Sequence, residues 1–514
     1  MTFLSFSPCS FDLASGETLY HDIKLTLDSG INGLIGRNGA GKSVLASQLA
    51  AQHPKQCYLL AQLPQPGWQQ RSIAALLGLE PILRALQQLA SGQFDGNTLS
   101  LIDNHWQLAD DLQAELRQID APTDYWQNAS VLSGGQMTHL RLWWAFYQPQ
   151  PLLILDEPSN HLDTTGRNWL SEQLRQFAAR PGAAILLISH DRALLQQVDV
   201  LYELTSNGLQ RFGGNYAFYQ QQRQLQHAAL QQQQKNAEKQ LQQRQRNAQA
   251  AAEKAAKRQR QGEQRRGSQA TILLDYNKNR AQSAISARRV QEQQQLQQAE
   301  QQLRQIKAQQ QTLKPQQFYL SAETSAGTKT LITAEALQLP FGNRRLLSFS
   351  WSNKQRVNLQ GLNGSGKSTL LQVLAGKVDF YSGTLRLNCD VQYLDQHFSV
   401  VDRSATVLNN LRSYCPDLTE TLARTLLAGV GFRNNQALKP AAALSGGELM
   451  KLAMLMVSQH TGRLLLLDEP DNHLDLQAKQ LLAEALAQYQ SGFVLVSHDV
   501  DFVSQSGVDT VLQL

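Results

Sequence analysis

The sequence predicts two α/β domains joined by a long antiparallel helical hairpin. Three observations predict it. Five short motifs occur twice, in the same order, in the two outer parts of the chain. Each copy of the first motif, a glycine loop, follows an apolar run of strand length and precedes a helical pattern. Between the copies lies a glutamine-rich, basic segment with no proline from Gln220 to Lys314.

The chain has 514 residues, room for about three domains at roughly 150 residues each. The repeats set the boundaries at 1–215 and 325–514, with a linker at 216–324. Gly36-Arg37-Asn38-Gly39-Ala40-Gly41-Lys42-Ser43, followed by Val44, returns as Gly361-Leu362-Asn363-Gly364-Ser365-Gly366-Lys367-Ser368, followed by Thr369. Ser133-Gly134-Gly135-Gln136 returns as Ser445-Gly446-Gly447-Glu448, and Asp156-Glu157-Pro158 as Asp468-Glu469-Pro470. Asn160 to Asp163 returns as Asn472 to Asp475, and Ser189-His190-Asp191 as Ser497-His498-Asp499.

Strand, glycine loop and helix make a P-loop. The glycines let backbone N–H groups turn onto phosphates, and the helix N-terminus adds positive potential. Lys42 and Lys367 then reach the β- and γ-phosphates of ATP, and Ser43 and Ser368 bind Mg²⁺. The runs Leu152–Asp156 and Leu464–Asp468 have the pattern of buried parallel strands, with the acid at the edge that faces a ligand crevice. Asp156 and Asp468 are the expected Mg²⁺ partners, and Glu157 and Glu469 the groups that polarise water. An Asp-Glu pair at a strand end is by itself an ordinary solvated turn; two P-loops upstream make it chemistry. The Ser-Gly-Gly motifs open helices, which is either plain capping by Ser133 and Ser445 or a second phosphate-facing device. His190 and His498 end apolar runs, where a histidine can contact the γ-phosphate. Gln62 and Gln396 follow their P-loops and are candidates to sense Mg²⁺ or water. Phe341, before Gly342, can stack on adenine, and Phe11 is a weaker counterpart.

Composition excludes several classes. Four cysteines stand far apart with no CxxC pair, against a disulfide framework or a thiolate metal site. The first residues lack a basic segment followed by a long apolar run, so no secretory signal is expected. No stretch nears the ~20 apolar residues of a membrane helix. The net charge of +5 is uneven: residues 221–314 hold 18 Lys/Arg against 6 Asp/Glu, the remainder 29 against 36. A basic segment on a near-neutral body points to a polyanion, most often nucleic acid.

That segment reads as helix from its Gln, Ala, Lys and Arg content. Leu296, Ala299, Leu303, Ile306 and Leu313 outline an apolar seam in the second arm. Leu230, Ala237, Leu241, Ala248 and Ala255 give a weaker one in the first. Arg266-Gly267-Ser268 and Tyr276 to Asn279 supply turn residues, placing a basic tip near Arg265 to Arg280.

The duplicated set resembles two ATP-binding cassette domains: Walker A, Q-loop, signature, Walker B, D-loop and switch histidine, in order, twice. Two fused cassettes with a basic helical linker and Glu157-Pro158-Ser159-Asn160-His161-Leu162-Asp163 resemble the ABC-F family of translation factors. The resemblance implies a cytoplasmic Mg²⁺-dependent ATPase whose cassettes pair within one chain, as a monomer. It also implies a ribosome partner, with the linker on tRNA and large-subunit rRNA. It further implies that Ser445 to Glu448 complete the site of Lys42 and Glu157, and Ser133 to Gln136 that of Lys367 and Glu469. Asp471 departs from the family's Thr or Ser, and Val44 from its common Thr. Gln62 to Ser133 spans 22 residues more than Gln396 to Ser445, fewer than the full arm of some members. Two alternatives fit the cassettes. A transporter's ATPase subunit leaves the basic linker without a task. The other is a DNA-binding repair-type ATPase: an excinuclease-like chain should carry zinc-binding cysteine pairs, which this chain lacks, but DNA binding by the linker stays open.

Overall fold

The computed structural model describes residues 2–514 apart from 13–17, 63–66, 93–95, 206–207, 265–290, 292, 296, 306–328, 344, 380, 396–397, 460–462, 473 and 490. Gln396, Leu296, Ile306, Leu313 and the expected linker tip therefore lie outside the described residues. The chain forms two compact units, Met1–Phe218 with Gln316–Leu514, and Tyr219–Pro315.

The first unit is built on two parallel sheets. In the N-terminal half, six strands run in the order Gly208–Phe212, Val200–Thr205, Gly30–Gly36, Ala184–Ile188, Leu152–Asp156, Cys57–Leu60. Only the Gly208–Phe212 edge is antiparallel. In the C-terminal half the order is Val391–Leu394, Leu464–Asp468, Phe493–Val496, Arg356–Gln360, Thr510–Gln513, all parallel. Leu152–Asp156, Ala184–Ile188, Leu464–Asp468 and Phe493–Val496 are buried along their whole length. That is why they read as unbroken apolar runs instead of alternating ones.

Register then gathers the motifs. Asp156 pairs with Ile188, two residues before His190, and Asp468 with Val496, two residues before His498. In each half the P-loop leaves a strand next to these, so glycine loop, acid and histidine emerge at one edge. Helices Lys42–Gln52 and Lys367–Leu374 follow the loops and bury Leu45, Ala46 and Leu49, and Leu370, Leu371 and Leu374, against the sheets.

Each half adds a helical part opened by its Ser-Gly-Gly motif, Gly134–Tyr147 and Gly446–Ser458. The longer interval in the N-terminal half holds helices Glu80–Ala90, Gly96–Ile102 and Leu108–Gln118. Leu79, Leu83, Leu108, Leu112 and Leu116 join Leu140 of the Gly134–Tyr147 helix in one apolar cluster. The extra residues are thus part of a local core. The C-terminal interval has Val407–Tyr414 and Glu420–Gly429.

The second unit takes most of helix Tyr216–Gln264, 49 residues or about 74 Å at 1.5 Å per residue. Leu230, Ala237, Leu241 and Ala248 are half-buried along it. Residues 297–305 are also helical, with Ala299 and Leu303 buried. Arg244 Nη1 donates to Gln295 O at 2.9 Å, joining residues 51 apart in sequence. Leu303→Ala removes about 2–3 kcal/mol of packing. It should speed tryptic cleavage within 219–315 without changing the cleavage pattern of the first unit.

Candidate nucleotide sites

Each P-loop is shaped by left-handed glycines. Gly39 and Gly41 have φ of 80° and 92°, and Gly364 and Gly366 79° and 102°. A Cβ on Gly41 would meet the Tyr20 ring at 2.8 Å. Helices Lys42–Gln52 and Lys367–Leu374 have no side-chain cap, which leaves their first N–H groups for a ligand. Lys42 Nζ folds back onto Gly36 O at 2.8 Å and Arg37 O at 3.2 Å. Lys367 Nζ does the same to Gly361 O and Leu362 O, at 2.8 and 2.9 Å.

Beside each loop stand a hydroxyl and a carboxylate. Ser368 Oγ donates to Asp468 Oδ1 at 3.1 Å, and Ser43 hydrogen-bonds Asp156. Tyr393 also donates to Asp468 Oδ2, at 3.0 Å. One carboxylate, one hydroxyl and neighbouring phosphates are the donors Mg²⁺ accepts, so the residues fit that ion. Burial holds both aspartates above the usual carboxylate range, a penalty that a cation relieves.

Glu157 and Glu469 sit in the left-handed region at φ 51° and 49°. Their N–H groups are pinned to Ile188 O and Val496 O, at 2.8 and 3.0 Å. Such a conformation in a non-glycine residue costs about 1–3 kcal/mol, offset here by a fixed carboxylate direction. The His190 N–H donates to Glu157 Oε2 at 3.3 Å, and its Nε2 lies 3.4 Å from Glu157 Oε1. His498 Nε2 is 3.8 Å from Glu469 Oε1, and Asn472 Nδ2 donates to Glu469 Oε2. Burial pushes both glutamates up to about 7, with Lys42 opposing the rise at Glu157 and Lys367 at Glu469. Burial also lowers both histidines, His190 well below its ordinary value and His498 to about 4. Among the described residues the buried Nε2 atoms of both histidines make no hydrogen bond.

The two halves meet at these loops. Asn38 N–H donates to Asp475 Oδ2 at 3.3 Å, and Asn363 N–H to Asp163 Oδ2 at 3.4 Å. Asn363 Nδ2 also donates to His161 O at 2.9 Å. Lys42, Ser43, Gln62, Asp156, Glu157 and His190 line a cavity of about 460 Å³ together with Ser445, Gly446 and Asn472 of the other half.

Ser133 and Ser445 cap their helices, and each bond is reciprocated by Gln136 or Glu448 in a capping box. The fourth residue of each motif therefore holds its own helix. The following glycines are contact points: a Cβ on Gly135 would come to 2.6 Å from Asn363 Nδ2, and on Gly447 to 3.2 Å from Asn38 Nδ2. Phe341 is 70% exposed, and its carbonyl lies beside Gly366 of the second P-loop. Phe11 packs at 6.4 Å on Tyr20, the ring that abuts Gly41.

Sequence reasoning missed Tyr393, the half-buried Arg167 and the buried Lys479. Arg167 and Lys479 each follow the Asn-His-Leu-Asp aspartate by four residues, one helical turn, in both halves. That repeat was the available signal.

The matches to known proteins take in both P-loops and both Asp-Glu pairs. The ABC transporter family model covers 20–160 and 345–472. The chain belongs to the ABC transporter family, as a tandem-cassette ATPase of the ABC-F type. It is 30% identical over 382 residues to YdiF of Bacillus subtilis, named for ATP binding, covering 73% of this chain and 54% of YdiF. It is 28% identical to the ATP-binding protein Uup of Caulobacter vibrioides over 520 residues, 97% of this chain and 75% of Uup. To YheS of Escherichia coli K12 it is 28% identical, over 91% of this chain and 72% of YheS. In fold it resembles the archaeal ribosome recycling factor aABCE1, solved with the ribosomal stalk protein aP1. That match has a TM-score of 0.55 and 17% identity over 98% of this chain and 87% of the other. It also resembles a structure described as ribosome-bound archaeal Pelota and ABCE1, with a TM-score of 0.52 and 16% identity over 96% and 74%.

Two outcomes are expected. Gly135→Ala should lower ATPase kcat about tenfold or more, because its Cβ would meet the His161 backbone carbonyl at 3.0 Å as well as Asn363, while Gly447→Ala, which meets only side chains, lowers it less; steady-state kinetics compare the two. A carboxyl whose folded-state pKa is raised favours the fold below about pH 4.5 and loses that contribution as pH rises through about 7. The Glu157→Gln, Glu469→Gln double variant should therefore melt ~2–4 °C above the parent at pH 8, with the difference vanishing near pH 4.5, measured without nucleotide.

Proposed function

We propose that this ATPase acts on the ribosome, with ATP-driven pairing of its cassettes moving a basic linker against tRNA and large-subunit rRNA. The observation that carries the reading is the charge of the linker: residues 221–314 hold 18 basic against 6 acidic residues, while the rest of the chain holds 29 against 36. Helix Tyr216–Gln264 carries much of that charge on a long, mostly exposed surface. Among the described residues no helix is long and apolar enough to cross a membrane. The ribosome association named for ABCE1 supports the same reading.

The domains in this scheme are cassettes at 1–215 and 325–514, with an antiparallel coiled-coil hairpin at 216–324. The Arg244–Gln295 bond and the buried Ala299 and Leu303 support the hairpin. The protein works in the cytoplasm as a monomer.

At the first site the backbone of Gly36 to Val44 cradles the phosphates, and Lys42 turns from Gly36 O to the γ-phosphate. Gly361 to Thr369 and Lys367 do the same at the second, where Phe341 stacks on adenine. Ser445 to Glu448 and Ser133 to Gln136 close the two sites from the opposite cassette. Mg²⁺, held by Ser43, Asp156 and Gln62 or by Ser368, Asp468 and Gln396, would neutralise phosphate charge. Glu157 and Glu469 orient and polarise the attacking water, their carboxylates aimed by the left-handed backbone. His190 and His498, kept neutral by burial, have Nε2 free for the γ-phosphate.

The Glu157→Gln, Glu469→Gln variant should trap the ATP-bound form. It is expected to co-sediment with 70S ribosomes when ATP is present and to be released as salt rises. Pelleting that is independent of ATP, or absent, contradicts the proposal.

A further inference from the structure

A buried charge cluster spans the boundary between the two cassettes, beside the catalytic glutamates. Arg167 Nη1 pairs with Asp191 at 2.9 Å in the N-terminal half. Lys479 Nζ pairs with Asp499 at 2.9 Å in the C-terminal half, with both side chains about nine-tenths buried. The two pairs occupy matching places: one helical turn after the D-loop aspartate, bonded to the aspartate after the switch histidine. Plain helix-to-loop staples would serve only their own half.

The surroundings of Lys479 are not confined to its own half. It lines the first cavity with Glu157, His190 and Asp191, all from the other cassette. Its positive charge acts on Glu157 and His190, and Asp191 acts on it in turn. Arg167 lines the same cavity, and its charge acts on His498, Asp471 and Asp499 of the C-terminal half. The arrangement is not symmetric. Asp471 stands where the first half has Ser159, is 2% exposed, and has Oδ1 without a hydrogen-bond partner among the described residues. Its carboxylate lies close to Lys479, and it acts on Glu469 in its own half.

We propose that Lys479 is a positioning residue in trans: sited on the C-terminal cassette, it supports water activation by Glu157 at the N-terminal P-loop. A fixed ammonium opposite Glu157 stabilises the negative charge that the carboxylate carries while it holds water. The ammonium arrives only when the cassettes are paired, so hydrolysis at that site is tied to closure. At the second site Asp471 instead adds a negative charge beside Glu469. The two sites are therefore supported unequally.

The inference rests on the roles given above to Glu157 and Glu469, and one experiment separates the two. Lys479→Gln is placed in a Glu469→Gln background, where only the first site turns over, and in a Glu157→Gln background, where only the second does. In the first background kcat should fall about tenfold with KM for ATP within about twofold, and Lys479→Arg should restore most of it. In the second the loss should be at least about fivefold smaller. An equal loss in both, or a larger one in the second, means that Lys479 only holds Asp499 in its own half, and overturns the inference. If Lys479→Gln lowers the melting temperature, the same comparison is made with Lys479→Gln, Asp499→Asn, which removes both charges of the pair. If neither glutamate-to-glutamine background loses turnover, the site assignment is wrong and the inference falls with it.

Discussion

Each P-loop is closed by an aspartate from the other half of the chain. Asn38 N–H donates to Asp475 and Asn363 N–H to Asp163, so each P-loop is bonded across the boundary between the two halves. Both aspartates also cap their own helices. Asp163 Oδ1 accepts from Gly166 N–H at 2.9 Å, and Asp475 Oδ1 from Ala478 N–H at 2.8 Å. One oxygen is held at home and the other reaches across. A shift of either helix must therefore shift the opposite P-loop, and charge-assisted bonds of this kind depend strongly on direction.

The sites concentrate groups that burial disfavours as ions. Asp156, Asp468, Glu157 and Glu469 are all held above the usual carboxylate range, and Lys42 and Lys367 below the usual amine range, mainly by burial. Buried strands such as Leu152–Asp156 and Ala184–Ile188 supply the stability that tolerates them. Phosphates and a divalent cation would supply countercharges to these groups. A nucleotide should thus stabilise the paired form by relieving electrostatic stress as well as by adding contacts.

Much of this was legible in the sequence because the repeated motifs stand at strand ends. Unbroken apolar runs ending in Asp156 and Asp468 marked both buried strands and their chemical edge. The helical reading of 216–264 followed from composition and the missing proline. Other features depend on tertiary contact and left little trace. Gln136 and Glu448 look like ligand residues in the motif, yet their side chains close capping boxes. Tyr393 reaches Asp468 from 75 residues away, a pairing that local pattern does not reveal. The 22 extra residues of the first cassette could be counted but not folded by eye. They add to a core around Leu83 and Leu112.

If the two halves of one chain complete each other's sites, residues that meet across them should cross-link within a single chain. His161→Cys and Asn363→Cys are combined with Cys389→Ser in the Glu157→Gln, Glu469→Gln chain and oxidised with and without ATP. A fast, ATP-promoted disulfide within one chain is expected, seen as a shifted monomer band. A disulfide that forms only between chains, or one indifferent to ATP, would contradict mutual completion of the sites.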